Sequence, residues 1–205
     1  MNDLKKLGLV VLSAMAFTAI LGFSSASAAT KFTASKVGAA IETVVLQQPV
    51  FTVTGAQVKC TDITFTGSSE ALESTAQMVV PRYEGCAAFG LPATVTVENC
   101  TYNLTATGQA HLEPISAGKT CNILANASSI FGECLLELTG PQTLSGVSYA
   151  NDGASAVDLT LNFSGISDHV TKSSGVCPLS VGTHTNATTT AQFKVTLSGA
   201  ATQVD

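Results

Sequence analysis

The chain has 205 residues, 9 basic and 14 acidic, a net charge of −5 at neutral pH, only 11% charged side chains and no tryptophan. The basic residues are scattered and form no arginine cluster, so nucleic acid and anionic membrane surfaces are not expected partners. Apolar residues make up 45% of the chain and are patterned, which excludes a disordered, charge-rich segment.

Residues 1–28 read as a secretory signal peptide. Lys5 and Lys6 supply the positive start, Leu7 to Gly22 is apolar, and Ala26-Ser27-Ala28 is a small-residue cleavage site. The apolar run is short for a membrane span. With no cysteine near the cleavage site, no lipid anchor is expected, nor is membrane insertion after cleavage. Residues 29–205 then form one domain, large enough for a core of its own. Without Asp3, Lys5 and Lys6 it carries 7 basic and 13 acidic residues.

Chain order brings mostly strands. Val44, Val45 and Leu46 suggest a short edge strand. Val58 and Cys60, then Ile63 and Phe65, alternate at a spacing of two, but their parity flips, which predicts a β-bulge near Thr61. Met78 to Tyr83 is a strand whose Pro81 places it on an edge or at a bulge. Gly85 to Pro92 reads as a loop tethered by Cys86. Val95 and Val97, then Cys100, Tyr102 and Leu104, flip parity again and predict a bulge at Glu98 or Asn99. Short strands follow around Ala110–Glu113, Thr120–Leu124 and Cys134–Leu138. Asn151-Asp152-Gly153 is a hairpin turn, because Asp-Gly tolerates the positive φ angles such turns need. It joins Leu144–Tyr149 to Val157–Phe163, and Ala191–Leu197 alternates equally cleanly. Asp168 to Thr188 reads as a long polar loop crossed by Cys177-Pro178. Nine to eleven short strands at this spacing predict an all-β, antiparallel two-sheet sandwich, Ig-like or related. A closed barrel is the alternative.

Six cysteines, Cys60, Cys86, Cys100, Cys121, Cys134 and Cys177, follow the leader, and none is paired as Cys-x-x-Cys. An even number in an exported chain predicts three disulfides rather than a zinc site. Fifteen connectivities are possible. Sequential pairing is favoured because neighbours in a meander are neighbours in sequence, with Cys86–Cys100 as the main rival.

The order of Val80-Pro81-Arg82-Tyr83-Glu84-Gly85-Cys86, Asn99-Cys100-Thr101-Tyr102-Asn103-Leu104, Cys134 with Pro141-Gln142, Leu144 to Tyr149, and Cys177-Pro178 with Gly182-Thr183 resembles a group of secreted six-cysteine proteins of unknown function from soil actinobacteria. The resemblance implies an exported, disulfide-linked β fold and says nothing of activity.

Chemistry-bearing motifs are sparse. His111, His169 and His184 match no local metal-ligand spacing, so no metal or other cofactor is expected. Ser167-Asp168-His169 holds the three triad residue types, but adjacent residues rarely converge on one proton path. Gly146-Val147-Ser148-Tyr149-Ala150 is a near miss of the nucleophile elbow inside a strand. Glu70 with Glu73 and Glu133 with Glu137 are the nearest carboxylate pairs; solvated acids are the commoner reading. The expected function is that of a non-enzymatic module of the cell envelope or extracellular space, structural, adhesive or ligand-binding. Its partner would be an envelope polymer or surface protein, met by a contact loop containing Asp168, His169, Lys172 and His184. The alternative is a secreted hydrolase built on His169 or His184 with a distant acidic partner.

Overall fold

The computed structural model describes residues 30–130, 132–175 and 177–205. The expected signal peptide lies outside them. Fifteen strands follow one another: β1 (Phe32–Ala34), β2 (Ile41–Val53), β3 (Ala56–Thr66), β4 (Glu73–Ser74), β5 (Ala76–Ala88), β6 (Leu91–Glu98), β7 (Cys100–Thr105), β8 (Gln109–Pro114), β9 (Cys121–Ser129), β10 (Gly132–Gly140), β11 (Gln142–Ser145), β12 (Val147–Asp152), β13 (Ala156–Ser173), β14 (Gly182–Leu197) and β15 (Thr202–Val204).

The fold is all-β, but it is not the two-sheet sandwich that the short-strand pattern predicts. Eight strands close on themselves in the order β5-β3-β2-β14-β13-β10-β9-β6 and back to β5, a barrel of antiparallel pairs. The closing contact is the β5–β6 hairpin, with Cys86 opposite Ala93 and Ala88 opposite Leu91. It lies in the stretch that reads as a tethered loop. Phe89 (φ 57°) and Gly90 (φ 82°) both take positive φ, the pairing a tight two-residue hairpin needs. A phenylalanine at the first of these positions hides the turn from sequence reading. The β2–β3 turn is of the same kind, with Thr54 (φ 44°) and Gly55 (φ 86°). These two turns, the β9–β10 turn and the β13–β14 connection all close the same end of the barrel.

Two strands outrun the ring and change neighbours. β5 pairs with β7 through Ala76–Val79 and with β6 through Cys86–Ala88. β13 pairs with β12 through Ala156–Leu161 and with β10 through His169–Ser173. β7 pairs on with β8 and β8 with β11, and a separate three-stranded sheet, β15-β1-β4, joins β1 to β15 and to the internal β4.

The parity flips mark these changes of neighbour. β3 and β5 stay in register through Cys60–Cys86 and Asp62–Glu84, so no extra residue is inserted at Thr61. Both strands flip together instead. Gly85 has φ 59°, and a Cβ there would lie 2.1 Å from Thr61 Oγ1. Pro81 is buried in the part of β5 between its β7 and β6 partners, where a missing N–H leaves no ladder bond unmade. At Asn99 (φ 52°) the strand breaks rather than bulges: β6 stays in the barrel and β7 leaves it. The Asn99 side chain ties the break, donating from Nδ2 to the Thr120 carbonyl (3.2 Å) and accepting from Ser116 N (3.1 Å).

The three disulfides are Cys60–Cys86, Cys100–Cys121 and Cys134–Cys177, the sequential set. The first joins register partners of β3 and β5. The second ties β7, after the break, back to the start of β9. The third pins the β13–β14 connection to β10. The core is continuous, and Phe193, Leu112, Leu136, Leu159 and Ile166 are among its best-buried large side chains. Asp152 and Ala156 close the predicted hairpin around Gly153.

Candidate functional site

The segment expected as a contact loop is mostly strand. Asp168 pairs with His184, His169 with Thr183 and Val170 with Gly182, so β13 and β14 run on together and only residues 174–181 connect them. The threonine-rich start of β14 suits a strand, but its inward positions hold His184 and Ala187, which give no hydrophobic alternation to read.

The four side chains do not share one surface. Ile166, Asp168 and Val170 alternate inward and are buried, Asp168 to 2% exposure. Neither Asp168 carboxylate oxygen has a hydrogen-bond partner. Burial pushes its pKa up to about 6, partly offset by the imidazoles of His184 and then His169. His184 is half-buried, and its Nε2 lies 3.1 Å from the Ser180 carbonyl. His169 and Lys172 face outward. His169 Nδ1 is 3.1 Å from Thr183 Oγ1, and Lys172 forms an ion pair with Glu133 (3.2 Å). At its described residues the connection is held down as a strap: Cys177 is bridged to Cys134, Leu179 is buried, and Ser173 Oγ donates to the Leu179 carbonyl.

The remaining motif residues stay apart. His111 lies on β8 beside Thr143 of β11 (3.1 Å). Ser148 is exposed on β12, and Ser167 N donates to Gln142 Oε1. Glu73 pairs with Lys31 (2.9 Å). Among the described residues no three His, Cys, Asp or Glu side chains are grouped to hold a metal ion.

What the fold does assemble is apolar. Two cavities of about 70 Å³ each lie inside it. The barrel chamber is walled by side chains that include Ile63, Tyr83, Tyr102, Leu136, Phe163 and Phe193. The second chamber lies under the β15-β1-β4 sheet, among Phe32, Ile41, Val79, Tyr149, Leu159 and Val204. Phe65 lines both and stands between them. Its ring packs edge-on against Phe193 (centroids 5.1 Å apart) and Tyr102 (6.5 Å).

Phe65 also stands beside a break in the β2–β3 ladder. The β2–β3 ladder stops at Val50–Lys59, although both strands run on. Further along, Phe65 N donates to Thr43 Oγ1 (3.2 Å) and Ile41 N to the Gly67 carbonyl (2.9 Å). Val44 and Leu46 are exposed on β2 in this stretch.

Two polar side chains of the barrel chamber, Tyr83 and Tyr102, meet there, and Thr189 also lines it. The Tyr83 and Tyr102 hydroxyls lie 3.5 Å apart, beyond the ~2.7–2.8 Å of an ordinary O–H···O bond. Desolvation by the surrounding apolar side chains raises both phenol pKa values, that of Tyr83 well above normal, so both remain protonated at neutral pH. Tyr149, in the other chamber, is satisfied by donating to the Thr105 carbonyl (2.9 Å). In the sequence Phe65, Tyr83 and Tyr102 sit on alternating strands, and nothing distinguishes them from ordinary core residues.

No family model, curated protein or solved structure matches the chain.

Proposed function

We propose that this is an exported, non-enzymatic binding protein of the envelope or extracellular space that takes a small apolar molecule into its barrel. The carrying observation is the pair of apolar chambers that share Phe65 as a lining residue, beside the break in the β2–β3 ladder. Eight-stranded barrels have interiors just wide enough to be filled by side chains or to hold one small ligand. An enclosed apolar cavity stays dry and gains free energy when an apolar guest replaces the void. Export is supported by the leader pattern and by three disulfides, which persist in oxidising compartments. Among the described residues no helix is long and apolar enough to cross a membrane.

The hydrolase alternative would draw on Asp168 and His184, which the fold brings opposite each other. A catalytic dyad needs the carboxylate to hold the imidazole by a hydrogen bond. Here both carboxylate oxygens are unpartnered, and His184 Nε2 engages the strap. Titration of the oxidised protein with toluene, followed by NMR of the Phe65 and Phe193 rings, tests the binding reading. Saturable shifts at both rings are expected. Rings that neither toluene nor phenol moves, or ester or glycoside turnover lost in His184→Ala, would overturn it.

A further inference from the structure

We propose that the two chambers act as one site for a ring-sized apolar ligand bearing a single hydroxyl group, seated with that hydroxyl against Tyr83 and Tyr102. This rests on the binding reading above and adds the class of ligand and the residues that select it.

Size comes first. One chamber of about 70 Å³ is half the roughly 150 Å³ of an apolar cavity that takes up benzene. The two together approach that volume, and Phe65 is the one side chain that lines both among the described residues. Its ring packs edge-on and makes no polar contact, so turning it aside breaks no hydrogen bond. The Phe65 N–H, held by Thr43 Oγ1, stays in place. The break in the β2–β3 ladder lies beside this residue, so the movable side chain stands at an unladdered seam of the barrel, where we place the entry.

Polarity comes second. Two protonated phenol hydroxyls face an apolar chamber and share only a 3.5 Å contact, so most of their hydrogen-bonding capacity is unused. A third oxygen about 2.7–2.8 Å from each would complete a triangle with them. An alcohol or phenol oxygen suits this place because it accepts from one tyrosine and donates to the other. A carboxylate does not: among the described residues the chamber wall holds no lysine, arginine or histidine, and a buried unpaired charge is costly. A pure hydrocarbon fills the space and leaves the pair as it is.

Phenol and toluene have the same shape and the same number of heavy atoms, and differ at one hydroxyl. Both are titrated into the oxidised protein while the Phe65, Tyr83 and Tyr102 ring signals are followed by NMR. Phenol is expected to bind roughly tenfold more tightly, the worth of about one net hydrogen bond. Tyr83 is half-buried, so Tyr83→Phe should still fold. It should lower phenol affinity to the toluene level and leave toluene binding unchanged. Phe65→Leu, which thins the wall, should tighten phenol binding. If toluene binds as well as phenol, or the phenol preference survives Tyr83→Phe, the ligand class is wrong and the binding reading stands. If neither compound binds the wild type or Phe65→Leu, both fall.

Discussion

Asp168 is a carboxylate inside a barrel, and its removal should stabilise the protein. Its pKa rises from 3.8 to about 6, first because burial disfavours the charged form. Below about pH 3 the carboxyl is protonated both folded and unfolded and adds nothing to the pH dependence. Between about pH 4 and 6 the folded state holds a proton that the unfolded state has released, so stability falls as pH rises. Above pH 6 the loss is complete. A shift of about two pK units corresponds to about 3 kcal/mol. That is an upper bound, because water at the barrel mouth would screen part of it. The charged and titratable groups around Asp168 are His184 on β14, His169 on β13 and, opposite His169, Glu137 on β10. The two imidazoles act against the shift, and burial prevails over them. Asp168→Asn keeps the shape and removes the charge. Urea unfolding of the oxidised proteins from pH 3 to 7.5 should show a difference near zero at pH 3. By pH 7.5 the variant should be ahead by up to about 3 kcal/mol, or roughly 6–12 °C in Tm for a domain of this size. A variant equal to or weaker than wild type at pH 7.5, with the same pH slope, would refute the burial of this charge.

Two further outcomes follow from the backbone. Asn99→Val puts a β-branched side chain at φ 52° and deletes two hydrogen bonds. It should cost about 2 kcal/mol or more in chemical denaturation, whereas Asn99→Gly should cost less. Replacing Cys100 and Cys121 together opens a cross-link spanning 21 residues and should cost about 3 kcal/mol. A change under 1 kcal/mol in denaturant unfolding would show that β7 does not depend on that tie.

Much of the fold is legible wherever a strand has one wet and one dry face. Val157–Phe163 and Ala191–Leu197 alternate and are strands, and Asp152-Gly153 turns where expected. The sequential cysteine pairing is the one expected, but strand neighbours account only for Cys60–Cys86; Cys100–Cys121 ties β7 to β9, which do not pair, and Cys177 lies between strands. Closure is not legible, because it depends on which strand lies beside which. The link that closes the ring runs through Phe89–Gly90, a turn without the usual Asn or Asp, and through Ala87 and Ala93, too small to give a hydrophobic signal. The parity flips at Thr61 and Glu98–Asn99 are visible in the sequence. Their meaning is not, since a one-strand bulge, a kink shared by two strands and a strand break give the same pattern. The candidate site is hidden for a related reason. Phe65, Tyr83 and Tyr102 are spaced as core residues are, and the void beside them is a property of three-dimensional packing. Asp168 was visible as a polar residue, but its burial follows from β14 using His184 and Ala187 as inward positions.

The most direct test of the binding account is diffraction from crystals held under xenon pressure, since xenon enters dry apolar cavities. Xenon density in the barrel chamber and beneath the β15-β1-β4 sheet, on the two sides of Phe65, is the predicted result. An interior free of xenon, with side chains packed across both chambers, would contradict it.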